Sequence, residues 1–266
     1  MNRYARNIVG ALVFTTALVA SASLVAESPF DGTWKTNMAQ AKISPKPNVF
    51  YISQGWYHCV SCAPAVDVAA NGEDQTVTGQ AYDTISVKEV DPKTISIVTK
   101  KGGKVYAEQT RTVSADGKTL TIKNTFHPLN SDQPITTEVT GKLAGIAPAG
   151  VHATSGQWVV QKVQESDNGL LVTYKTNGDE LTMTTPTGES YAAKFDGNDY
   201  PMKGSGSVDT VSLKRIDAHT FEETDKRKGT VIGVDRVTVS SNGKAMTVVS
   251  TNKLADRTST FVASKQ

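Results

Sequence analysis

The chain has 266 residues, with 28 Lys and Arg against 26 Asp and Glu, so its formal net charge is only +2. Arg3 and Arg6 account for that whole excess, and the remaining charges are interspersed rather than clustered. Such a balance excludes an electrostatic grip on nucleic acid or on an anionic membrane, each of which needs a basic stripe.

From the first residue onward, Arg3 and Arg6 precede an apolar run from Ile8 to Ala20, followed by small residues at Ala20-Ser21-Ala22 and Ala26. This arrangement predicts a secretory signal peptide over residues 1–26. The run is too short to cross a bilayer comfortably, which takes about 20 residues. No later stretch is apolar enough to span one. The expected mature protein is exported, to the periplasm or beyond, with no membrane span.

The rest of the chain repeats itself. Residues Asp83 to Thr121 align without a gap with Asp209 to Thr247, with identities that include Asp83/Asp209, Thr84/Thr210, Asp91/Asp217, Gly103/Gly229 and Gly117/Gly243. Upstream, Asn71 to Gly79 parallels Asp196 to Gly204, and Asp31 to Trp34 parallels Ser155 to Trp158. Two copies, each about half the chain, are therefore predicted. Thr84 to Val90, Thr119 to Lys123, Leu181 to Thr184 and Thr210 to Lys214 alternate apolar and polar residues, the pattern of antiparallel strands with one wet face. Turn signals separate them, among them Asp116-Gly117, Asn177-Gly178 and Asn242-Gly243, which suit tight hairpins. No window carries a long helical period.

The reading is all-β with little helix: two tandem antiparallel up-and-down β-barrels of roughly seven or eight strands each. Charge vanishes and Ala, Gly and Pro concentrate near Leu143 to Ser155. The expected division is a first β domain over 27–143, a linker over 144–154 and a second β domain over 155–266. Asp83 and Asp209, each before a strand, read as structural turn residues.

Gly32-Thr33-Trp34 and Gly156-Gln157-Trp158 place a Gly-x-Trp at the start of both copies. This resembles the lipocalin and calycin barrels, and the whole pattern is similar to exported bacterial proteins of unassigned function with lipocalin-like repeats. The resemblance implies that Trp34 and Trp158 plug the closed ends beneath a basic residue from a late strand. Arg257 and Lys142 are the candidates for that cap.

The copies differ most at Tyr57-His58-Cys59-Val60-Ser61-Cys62, which aligns with a turn around Pro186 and places Cys59 to Cys62 opposite Thr184 to Thr187. Cys59 and Cys62 are the only cysteines, and an exported protein meets an oxidising compartment, so a disulfide stapling a turn is expected. A redox site is the rival reading, but no helix follows to lower a thiol pKa. Structural zinc needs four ligands and only His58 is local; covalent haem attachment needs a His after the pair, where Ala63 stands. No cofactor or metal is implied. No hydrolase, phosphate-loop or zincin motif occurs, and no carboxylate pair stands out, so no catalytic residue is assigned.

The aromatic cluster Phe50-Tyr51 and Trp56-Tyr57, with His58, leads into the Cys turn, so alternate members are expected to face the barrel interior near one mouth. Tyr51, Trp56, Tyr57 and His58 are the expected ligand-binding residues, since Tyr and Trp combine apolar area with a polar handle. The functional expectation is an exported protein binding a small apolar or amphipathic molecule. The alternatives are a filled, ligand-free module of the cell envelope, or a barrel-pocket isomerase or cyclase using His58 with a Tyr.

Overall fold

The computed structural model describes residues 28–145 and 149–266; the expected signal peptide and part of the expected linker lie outside them. The first half carries β1 (Gly32–Thr36), β2 (Asn48–Ser53), β3 (Trp56–Cys59), β4 (Val66–Ala69), β5 (Gln75–Thr76), β6 (Thr84–Asp91), β7 (Thr94–Lys101), β8 (Lys104–Val113), β9 (Thr119–Phe126) and β10 (Ile135–Leu143). The second carries β11 (Gly156–Glu165), β12 (Leu171–Asn177), β13 (Glu180–Thr184), β14 (Ser190–Lys194), β15 (Tyr200–Pro201), β16 (Thr210–Arg215), β17 (Thr220–Arg227), β18 (Thr230–Val239), β19 (Ala245–Asn252) and β20 (Arg257–Lys265). Among the described residues, helix is confined to single 3-10 turns at Met38–Gln40 and Asp167–Gly169.

The strands form two antiparallel ten-stranded sheets, each curled into a nearly closed barrel. One strand of the excess over seven or eight in each barrel is β5 or β15, which span two residues each, too few to show a period in sequence. The alternation read from sequence does place the cores. Ile85 and Val87 of β6 and Ile95 and Ile97 of β7 point into one barrel, and Leu181, Met183, Val211 and Leu213 into the other.

The partition of strands differs from the expected one. Barrel 1 is β2 to β11 in unbroken order, closed where β11 pairs with β2 through Gly156↔Phe50 and Trp158↔Asn48. Barrel 2 is β12 to β20, with β1 set between β20 and β12. Each Gly-x-Trp strand thus belongs to the barrel of the other copy: Trp158 to barrel 1 and Trp34 to barrel 2. The repeat in sequence and the barrel in space are out of phase by one strand. The physical reason is that β10 pairs antiparallel with β11 over seven register positions, Thr137↔Glu165 to Leu143↔Trp158. The segment after β1 instead runs along β20, with Lys42 and Thr260 exchanging backbone bonds at 2.8 Å.

Both Trp side chains sit alike. Trp34 Nε1 donates to the carbonyl of Phe30 and Trp158 Nε1 to that of Thr154, each four residues back and each at 2.9 Å. Lys265 stands over the Trp34 ring at 5.8 Å. The expected caps are not used. Arg257 donates instead to the carbonyls of Lys46 and Pro47, at 2.5 and 2.7 Å, and Lys142 is exposed.

The seams are closed by different devices. In barrel 2, Ser190 and Lys203 exchange backbone bonds at 3.0 and 2.8 Å. In barrel 1, the side-chain amide of Gln75 replaces a strand, accepting from Ala69 N at 2.8 Å and donating to Ala69 O at 2.7 Å. The repeated Asp residues are turn residues, as expected: Asp83 accepts from Gly102 N at 2.8 Å, and Asp209 from Lys228 N at 2.6 Å.

The barrels touch through glycines that leave no room for a side chain. A Cβ on Gly206 would fall 2.5 Å from the Tyr106 ring of barrel 1, and one on Gly188 would fall 2.9 Å from the Asn130 backbone. Arg227 adds a bond to Gly79 O at 2.8 Å.

Candidate functional site

Period-two alternation sorts the expected ligand residues to opposite faces of β2 and β3. Tyr57 points inward and is 1 % exposed, whereas Trp56 points outward and is 49 % exposed. Tyr51 and His58, opposite each other in register, stack on the outer face with ring centroids 4.6 Å apart. His58 Nδ1 meets Asp67 Oδ1 at 2.5 Å on that same face. Of the four, only Tyr57 therefore lines the barrel interior; alternation along β3 turns Trp56 and His58 to the outer face, and the pairing with His58 puts Tyr51 there too. Trp56→Ala should accordingly shift stability by no more than about 0.5 kcal/mol, and a urea titration showing a larger loss would mean that Trp56 has a packing role.

The disulfide is present: Cys59 and Cys62 are bonded, with Cα atoms 5.3 Å apart. Cys59 ends β3 and Cys62 lies in the following turn. The structural match of Cys59 in the second copy is Met183, since Phe50↔Cys59 and Tyr174↔Met183 are equivalent pairs, one residue from the expected alignment. Backbone N–H groups of Val60 and Ser61 both donate to Val49 O, so the stapled turn folds down onto β2.

Behind that turn, barrel 1 holds a half-open cavity of about 230 Å³. Its lining includes Tyr57, Tyr82, Ile85, Ile97, Tyr106 and Arg111, with Cys62 at one side. Arg111 spreads over the Phe50 ring at 4.2 Å and donates to Tyr57 Oη at 3.0 Å and to Gln109 Oε1 at 2.5 Å. Burial pushes the Tyr82 hydroxyl up to about 12, with Tyr57 adding to the rise and Arg111 opposing it. Burial also pushes Tyr106 up to about 12. Both phenols therefore keep their protons and present O–H donors at any physiological pH.

The corresponding region of barrel 2 is filled by other chemistry. The alignment of the copies places Ile97, Thr99, Gln109 and Asn124 opposite Glu223, Asp225, Asp235 and Ser250, and the ladders agree: Ile97↔Gln109↔Asn124 matches Glu223↔Asp235↔Ser250. Three carboxylates thus replace cavity wall. Tyr191 donates to Glu223 Oε2 at 2.7 Å. Burial, followed by repulsion from Asp225, holds Glu223 well above the usual carboxyl range. Burial, followed by repulsion from Asp235, pushes Asp225 up to about 6. Burial raises Asp235 as well. Below this cluster, Phe30, Phe195, Phe221 and Tyr174 meet largely edge to face and fill the barrel. The cluster opens on a cleft of about 520 Å³ between the barrels, walled on the other side by Ser61 and Tyr82.

Sequence reasoning missed this group because it sought a motif rather than the inward positions of one strand. Thr220 to Arg227 carries Glu223 and Asp225 two apart, which puts both on one face.

These carboxyl groups hold protons more tightly folded than unfolded, which fixes the sign of the pH dependence. Their contribution is complete below about pH 4, the unfolded carboxyl range. It is lost as pH rises through the folded value, about 6 for Asp225. The loss from Asp225 alone is on the order of 2–3 kcal/mol. The melting temperature of barrel 2 should fall between pH 4 and 8, and Asp225→Asn should flatten the profile. Calorimetry showing stability flat or rising over that interval would contradict the assignment.

No protein-family model matches the chain, and no curated protein matches it significantly. The geometry of the two barrels is therefore the basis for function. Among the described residues, no group of three or more His, Cys, Asp or Glu is arranged to hold a metal ion.

Proposed function

We propose that the protein is an exported, lipocalin-like carrier or scavenger that holds one small amphipathic molecule inside barrel 1. The observation that carries this reading is the half-open cavity of about 230 Å³, with apolar walls at Ile85 and Ile97 and polar groups at Tyr57, Tyr82 and Arg111. Pockets that accept drug-sized ligands are generally about 300–1,000 Å³, so the ligand is smaller than those. Export is supported by the sequence of residues 1–26 and by the Cys59–Cys62 bond, which belongs to an oxidising compartment. That bond stiffens the turn over the cavity. The Phe30, Phe195 and Phe221 packing favours a filled, structural role for the deep end of barrel 2.

The test is native mass spectrometry of the protein purified from its exported fraction, alongside Ala107→Phe, which places a ring in the cavity. A bound small molecule in the wild type, lost at least tenfold in the variant, is the expected result. Equal occupancy in the two would remove the ligand from barrel 1, and a wild type that neither retains nor takes up any small molecule would overturn the carrier reading.

A further inference from the structure

We infer that barrel 1 selects a small aromatic or branched anion, with a carboxylate or phenolate group held by Arg111; this rests on the proposal that its cavity is a ligand site. A guanidinium carries five N–H donors. In Arg111, Nε is satisfied by Gln109 and Nη1 by Tyr57, which leaves three donors with no protein acceptor. No ion pair involving Arg111 forms among the described residues. A charge set into a barrel wall without a counter-charge is costly unless something pairs with it. Here the ring of Phe50 supports its face, a packing that holds the planar fork in one orientation.

The remaining lining fits the same ligand. Tyr82 and Tyr106 retain their protons and can donate to an anionic oxygen, whereas no carboxylate lines the cavity to repel one. Three Tyr rings, with Ile85 and Ile97, present flat and branched apolar surface rather than a long channel. At about 230 Å³ the space holds only a small group within the barrel.

The second barrel supplies an internal contrast. The position of Arg111 is Val237 there, that of Ile97 is Glu223 and that of Gln109 is Asp235. The two copies have diverged from a basic to an acidic lining in the same region of the fold, so an anion entering barrel 2 would meet three acidic side chains and no cation at the position of Arg111.

The experiment is isothermal titration of the full chain with benzoate and with benzyl alcohol, a neutral analogue of similar size, for wild type, Arg111→Met and Arg111→Lys. Benzoate is expected to bind the wild type at least tenfold more tightly than benzyl alcohol. Arg111→Met should lose that preference while keeping benzyl alcohol within about threefold, and Arg111→Lys should keep part of it. Equal affinity of the wild type for both, or benzoate binding unchanged in Arg111→Met, would overturn the anion inference and leave the cavity as a neutral site. Binding of neither compound, or binding of both that survives Ala107→Phe, would overturn the cavity reading and this inference together. Should Arg111→Met fail to fold, the wild-type preference and the Arg111→Lys variant still decide the matter.

Discussion

A fragment covering residues 45–169 is expected to fold cooperatively alone, whereas one covering 27–143, the apparent first repeat, is not. The shorter-looking choice in sequence is the wrong unit. Residues 45–169 contain β2 to β11, every strand of barrel 1. Residues 27–143 lack β11 and retain β1, which has no partner in that barrel. Without β11, β10 loses seven register pairs and β2 loses three, and the fully buried Trp158 is gone from the core. Backbone hydrogen bonds contribute about 0.5–1.5 kcal/mol net each, and a domain has only about 5–15 kcal/mol in all. Loss of this ladder and the core Trp therefore exceeds the stability available. Urea unfolding followed by circular dichroism, with amide proton dispersion as a check on packing, distinguishes the two. A cooperative transition in 27–143 equal to that of 45–169 would show that the strands can pair within the repeat.

Trp34→Ala is expected to cost about 3–5 kcal/mol, and to cost it in barrel 2, although residue 34 opens the first repeat. The side chain is wholly buried, bonded to Phe30 O at 2.9 Å and covered by Lys265. Its neighbours in the core, Leu181, Val211 and Phe221, all come from the second half of the chain. Native-state hydrogen exchange should therefore accelerate in β16 to β19, with β6 to β9 unchanged. Acceleration confined to β6 to β9 would contradict the strand assignment.

Much of this architecture was legible in the residues themselves. The all-β class followed from alternation such as Ile85/Val87 and Val211/Leu213, because a strand has period two and one buried face. The turns were legible because Asp83/Asp209 and Asp116/Asn242 do local work, accepting backbone N–H groups a short way along the chain or across one hairpin. The disulfide was legible because two cysteines three apart across a turn have few other partners. What stayed hidden was non-local. Nothing in Gly32-Thr33-Trp34 says which of two similar barrels will receive it, since both offer an equivalent slot beside a late strand. The ligand face of β3 stayed open for a different reason: alternation says that Trp56 and His58 lie opposite Tyr57, but not which of the two sets faces the interior. Arg111 left no signal, being one of many scattered bases until Phe50 and Tyr57 are brought around it.

The place of β1 also orders events in time. A chain emerges from its N-terminus at about 5–20 residues per second, so β1 is made before both its neighbours, β12 and β20, which lie in the second half of the sequence. Barrel 1 can complete itself as soon as β11 has appeared. Throughout that delay β1 is an unpaired edge, the kind of segment that recruits the wrong strand. Its composition limits the hazard: it has five residues, and Trp34 is the only large apolar one among Gly32, Thr33, Lys35 and Thr36. A longer or more apolar first strand would be a standing invitation to pair with the next nascent chain, so the brevity of β1 serves the half-made protein as much as the finished one.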